Sequence, residues 1–176
     1  MPETVKSDSN KLVVFLTTPP AAATGIPTLA EVNAALFASL YIYGDFNVTP
    51  TQNTGAAPSK LGSAYTETEF GRTNYAAVDV QYSYVPQKLG TTGYPANAVY
   101  EALVPGDTVT AVVLEGYDGE ASEVEAGDIA DIYLMECGKR RKGATGTGEF
   151  DEVSTTQALI VKGGAPIAED HALAAA

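Results

Sequence analysis

The side chains able to do chemistry are few and poorly placed for it. A serine or cysteine nucleophile needs a base oriented by a third group. The chain offers one imidazole, His171, in an Ala-rich terminal stretch, and one thiol, Cys137. A single cysteine excludes an internal disulfide and a cysteine-based zinc knuckle, and a single histidine leaves no conventional His/Cys metal set. Glu67 and Glu69 share one face of an alternating segment and could serve as a carboxylate pair for glycoside chemistry. Acids at period two on a wet strand are ordinarily a solvated face, and without tryptophan any sugar platform rests on tyrosine alone.

Three further motifs point to binding. Gly143 to Gly148 (Gly-Ala-Thr-Gly-Thr-Gly) has glycines enough to cradle a phosphate, but no Gly-Lys-Ser/Thr follows and the dinucleotide spacing is absent. A flexible hairpin loop accounts for it. Asp118, Glu120, Glu123, Glu125 and Asp128 invite a calcium ion, yet they lack the order of an EF-hand loop and read as a solvated acidic surface. Lys139, Arg140, Arg141 and Lys142 form the one basic cluster. No cofactor is implied, and an enzyme is the weakest reading.

The charge balance narrows the partners. The 176 residues carry 22 acids and 10 bases, a formal −12. Such a chain is a poor free-standing binder of nucleic acid or of an anionic membrane, because both need an excess of clustered bases. No apolar run approaches the ~20 residues of a membrane span, and the polar Met1–Asn10 stretch is unlike a secretory signal. Between Leu89 and Gly138 there are acids and no base, and the basic cluster follows at once. Opposite-sign patches on each copy favour head-to-tail self-association.

The elements that must position these residues are mainly strands. Lys11 to Thr18 and Thr108 to Glu115 are apolar and β-branched, and Ile129 to Cys137 and Val153 to Val161 read likewise. Tyr75 to Val85 alternates most clearly, with Val78, Val80, Tyr82 and Tyr84 on a dry face and Asp79 and Gln81 on a wet one. Tyr65 to Phe70 also alternates, and Gly71 to Asn74 reads as the turn between them. Ser39 to Phe46 has strand character. Thr28 and Glu31 form a capping box opening a short helix over Leu29 to Phe37, and Pro95 to Val104 suits a second helix with Val99, Ala102 and Leu103 buried. Asn47 to Ala64 is long for a loop in a compact domain. Residues 1–10 read as a flexible arm, 11–164 as one domain and 165–176 as a flexible tail. The economical fold is an antiparallel β-sandwich or barrel of roughly six to eight strands with two short peripheral helices.

This order of features resembles the tail tube (major tail) proteins of long, flexible-tailed bacteriophages, particularly those of actinobacteria. The resemblance rests on Gly25-Ile-Pro-Thr-Leu-Ala-Glu-Val-Asn-Ala-Ala35 before a Tyr-rich strand, and on Glu69-Phe-Gly-Arg-Thr-Asn-Tyr75 before an alternating one. Glu136-Cys-Gly-Lys-Arg-Arg-Lys-Gly143 and Gly148-Glu-Phe-Asp-Glu152 before the last strand complete it. It spans roughly residues 11 to 164, through loose patterns and no invariant catalytic motif. It implies hexameric rings stacked into the tube of the virion tail, made in the host cytoplasm, with tape measure, terminator and distal tail proteins as partners. Four strands per subunit would line the lumen, the helices would lie outside, and the 47–64 loop and terminal arms would bridge subunits. DNA would pass without specific binding, and no membrane is involved.

On this reading the acids acquire a purpose, since a conduit should repel the phosphate backbone. Glu67, Glu69, Asp79 and Gln81 are the lumen-facing candidates; the competing assignment lines the lumen with the last two strands. Lys139 to Lys142 facing Asp118, Glu120, Glu123 and Glu125 of a neighbour are the candidate inter-subunit charge contacts. Two other classes compete: a capsid-decorating or head-completion protein, and a secreted β-sandwich module binding calcium or carbohydrate.

Overall fold

The computed structural model describes residues 10–58, 68–91, 93–142 and 152–175. The expected hairpin loop at Gly143 to Gly148, the arm before Asn10 and Glu67 lie outside them.

Lys11–Leu16 forms strand β1. The capping box is present: the Thr28 hydroxyl accepts from the Glu31 amide at 3.4 Å, and the Glu31 carboxylate accepts from the Thr28 amide at 2.8 Å. Helix α1 covers Leu29–Asn33. It stops short of Phe37 because Leu36–Phe37 (β2) pairs with Phe15 and Val14 of β1. The strand expected over Ser39 to Phe46 shrinks to Ile42–Tyr43 (β3), since the Ser39 hydroxyl accepts from the Val13 amide at 2.7 Å and pulls a helical turn onto β1.

Pro50–Ala56 (β4) and Thr68–Tyr75 (β5) pair as a two-stranded antiparallel ribbon, separate from the main sheet. The Gly71 to Asn74 segment is therefore strand and not a turn. Val78–Ser83 (β6), helix α2 (Ala98–Ala102), Thr108–Glu115 (β7), Ile129–Lys142 (β8) and Ser154–Val161 (β9) follow. Ala168–Ala172 forms β10.

The main sheet is an antiparallel half-barrel in the order β2-β1-β7-β8-β9-β6-β3, with β10 set against the start of β8. The fold is mainly β with two short peripheral helices. Strands β1 and β7 are buried on both faces, which explains their unbroken apolar runs. On one side Phe15, Val80, Tyr82, Leu103, Met135 and Leu159 pack beneath α2. On the other, Leu12, Val14, Val112, Leu114, Ile132 and Leu173 pack beneath α1 and the C-terminal segment.

That segment corrects the expectation of a flexible tail over 165–176. The Ile167 amide donates to the Ile132 carbonyl at 2.7 Å, the Leu173 amide to Asp128 at 2.9 Å, and the Leu29 amide to Ala174 at 3.1 Å. Leu173 is 1% exposed. An Ala-rich sequence is held because β8 presents an edge with unsatisfied backbone groups and because two apolar side chains, Ile167 and Leu173, find pockets. His171 accordingly sits in a strand opposite Ala130.

Two expectations follow. Leu173→Ala lowers unfolding free energy by about 2–4 kcal/mol in urea titration; a neutral result would return the segment to the status of a tail. Burial pushes the phenols of Tyr82 and Tyr43 up to about 12, with the Glu152 carboxylate adding at Tyr43. The folded state thus holds these protons more tightly than the unfolded chain, so their contribution is intact below pH ~10 and is lost as pH rises through about 12. Urea midpoints at rising pH should fall across that window, and a flat profile would contradict it.

Candidate functional site

On the side of the sheet that α1 covers over β1 and β7, strands β6, β9 and the end of β8 carry no covering layer. The register sets Asp79 opposite Ala158, Gln81 opposite Thr156, and Arg141 also opposite Thr156. These side chains share one outward polar face, while Val78, Val80 and Tyr82 point into the core. The Gln81 amide donates to the Ser154 hydroxyl at 2.7 Å. Arg141 donates to the Asp79 carboxylate across the small side chains of β9. Asp79 and Gln81 of the first lumen assignment therefore share a surface with β8 and β9, the strands of the competing one.

Glu69 is not there. It lies on β5 opposite Gly55, exposed, and β5 is not hydrogen-bonded to β6. The expectation that Glu69 and Asp79 stand on adjacent strands is corrected: the chain leaves the ribbon at Tyr75 and begins a new strand at Val78. Tyr75 donates to Glu169 of β10 at 3.4 Å, so the base of the ribbon rests on the C-terminal strand.

The basic cluster is split by a bulge. Cys137 pairs with Leu159, but Arg140 pairs with Gln157, so one extra residue is inserted at Gly138–Lys139. A Cβ on Gly138 would lie 2.8 Å from the Ala158 carbonyl oxygen, which explains the glycine. The buried Gln157 accepts from the Tyr82 hydroxyl at 2.7 Å and donates to the Gly138 carbonyl at 2.7 Å, fastening the bulge to β6.

Past the bulge, Arg140 turns inward. It stacks on Tyr100 at 3.7 Å and donates to the carbonyls of Tyr100 and, at 2.9 Å, Leu103. It thereby satisfies carbonyls at the C-terminal end of α2. Tyr100 stacks on Tyr84 at 4.5 Å, and Lys142 lies 5.3 Å from the Tyr84 ring centre. Two bases at period two thus bracket an aromatic pair. Of the four bases read as candidates for a neighbour, Arg140, Arg141 and Lys142 have partners inside the subunit, and Lys139 is exposed. The aromatic bracket escapes a sequence reading, although the i, i+2 spacing of Arg140 and Lys142 on a strand was its available signal.

The acidic loop lies at the other end of β8. Asp118 accepts from the Glu120 amide at 3.0 Å and Asp128 from the Glu125 amide at 2.7 Å. Asn33 clamps Val124 by both backbone groups, at 2.9 and 3.0 Å, and Val124 is buried. Glu123 is exposed. Among the described residues no group of three or more His, Cys, Asp or Glu side chains could hold a metal ion. Strand β8, 14 residues long, starts just past the loop and ends in the basic cluster, so the two poles stand roughly 35–40 Å apart along it. Burial pushes the Cys137 thiol up to about 11, which leaves little thiolate at neutral pH.

Arg140→Ala should cost about 2–3 kcal/mol, because two carbonyls lose a charged donor. Arg141→Ala should stay within about 0.5 kcal/mol, since that pair is exposed. Urea unfolding of both variants checks the contrast.

Three comparisons bear on this arrangement. No curated protein matches the chain. A chain in the cryo-EM structure of the anti-feeding prophage baseplate is similar at 12% identity and a TM-score of 0.47, covering 92% of this chain and 94% of its own. A family model described as phage tail tube protein matches residues 1–176. The chain, an antiparallel half-barrel, belongs to the phage tail tube protein family and is a structural component of the virion tail.

Proposed function

We propose that six copies of this protein close into a ring, that rings stack into the tail tube, and that the outward face of β6, β9 and the end of β8 lines the channel. The observation that supports this most is the state of the strand edges. Of β6, only Gln81 and Tyr82 are covered by β3, and among the described residues no strand pairs with Val78–Val80 on that side. On the other border, β7 ends its pairing with β8 at Glu136, so among the described residues Arg140–Lys142 pair with a strand only on the β9 side. One polar face is therefore bounded by two open edges. Joining the β6 edge of one copy to the β8 edge of the next is a head-to-tail contact that closes a ring and removes both liabilities.

Stacking has its own support. The β4–β5 ribbon exposes both faces, and Phe70 on it is 77% exposed. A lone two-stranded ribbon is marginal in water, so an inter-ring contact by the ribbon, whose strand β4 lies within the segment read from the sequence as a long loop, would stabilise it. The acidic loop with Asp118, Glu120, Glu123 and Glu125 and the basic end of β8, above all the exposed Lys139, give each copy two poles of opposite sign. Such poles steer copies into register. The formal −12 per copy makes the conduit repel DNA as it passes. Glu69 reaches the channel only if the ribbon folds toward it. A tape measure protein inside the tube and terminator and distal tail proteins at its ends complete the reading.

Concentrated purified protein should form tubes with six-fold end views by negative-stain electron microscopy. Replacing residues 50–75 with a short Gly/Ser linker should leave rings that no longer stack. A chain that stays monomeric by light scattering at every concentration would overturn the proposal.

A further inference from the structure

The basic cluster poses a problem for a channel that must not hold DNA. Arg141 is a guanidinium on the outward face, 62% exposed, two residues past the exposed Lys139 of the bulge. A planar guanidinium is well shaped for phosphate. Among the described residues, Asp79 is the one carboxylate ion-paired with any base of this cluster, and it reaches Arg141 from two strands away. That reach is possible because Ala158 and Thr156, between them on β9, are small enough to leave the space above the strand open.

We propose that Asp79 masks Arg141 against the phosphate backbone of duplex DNA, so that the outward face is a phosphate-binding surface held in a silent state. The inference rests on the reading that this face lines the channel, and it adds a role for a specific pair of residues. An exposed ion pair contributes little to folding, which fits a carboxylate kept for its effect on the neighbouring charge. Without it, each copy presents an unpaired Arg141, and six copies around one duplex would act together.

The test uses a short fluorescently labelled duplex and the soluble full chain, read by anisotropy from low to physiological salt. Asp79→Asn should bind about five- to ten-fold tighter than the parent at low salt, with a salt slope steeper by about one, the value for one added phosphate contact. The double variant Asp79→Asn/Arg141→Gln should return to the parent's weak binding. Equal binding by parent and Asp79→Asn, or a gain that survives in the double variant, would overturn the masking role. Circular dichroism checks that each variant is folded. Because binding is read on the soluble chain, this result stands apart from assembly: tubes whose other face lines the channel would overturn the channel reading while leaving the masking result as measured.

Discussion

Strand β8 is the constraint on which the rest depends. It pairs with β7 along its first half, with β10 at its start and with β9 along its second half. Its first half is packed on both sides, by Met135 and Tyr133 on one and by Ala130 and Ile132 on the other. Its second half has a core on one side only. The bulge at Gly138 marks the passage between the two regimes and decides which bases face inward. If the same sequence alternated strictly past Cys137 with no bulge, Arg140 and Lys142 would face outward and Arg141 inward, and the docking of α2 would be lost.

That same strand separates structural from functional use of charge. The inward bases hold an aromatic pair and the carbonyls of α2, and their worth is in packing and hydrogen bonds to backbone. The outward Arg141 is paired with Asp79 in an exposed ion pair, of a kind that adds little to folding. The acids are concentrated at the far pole, in a loop whose backbone is fixed by Asn33 and whose carboxylates remain in water. A uniform negative charge would give repulsion alone; the poles of β8 give each copy a direction as well.

Much of this was legible in the residues. The alternation of Val78 to Ser83, the unbroken apolar runs of β1 and β7, and the Thr28–Glu31 capping box each have a local physical cause, and each produced the expected element. The ribbon was not legible, because a strand exposed on both faces has no apolar alternation, and Gly-Arg-Thr-Asn carries turn chemistry that pairing with β4 overrides. The C-terminal strand was hidden for a related reason: its partner edge on β8 is distant in sequence, and only Ile167 and Leu173 announce burial. The basic cluster displayed its charge but not its direction, which is set by one inserted residue and a glycine too crowded to be anything else.

The central claim is that the outward face of β6, β9 and β8 lines a closed channel. A helical reconstruction of the assembled tube by cryo-electron microscopy, at a resolution that shows side chains, tests it most directly. Six subunits per ring are expected, with β6 of each hydrogen-bonded to β8 of the next and Asp79, Gln81, Thr156 and Arg141 facing the lumen. A tube in which that face points outward, or is buried against a neighbouring ring, would contradict it.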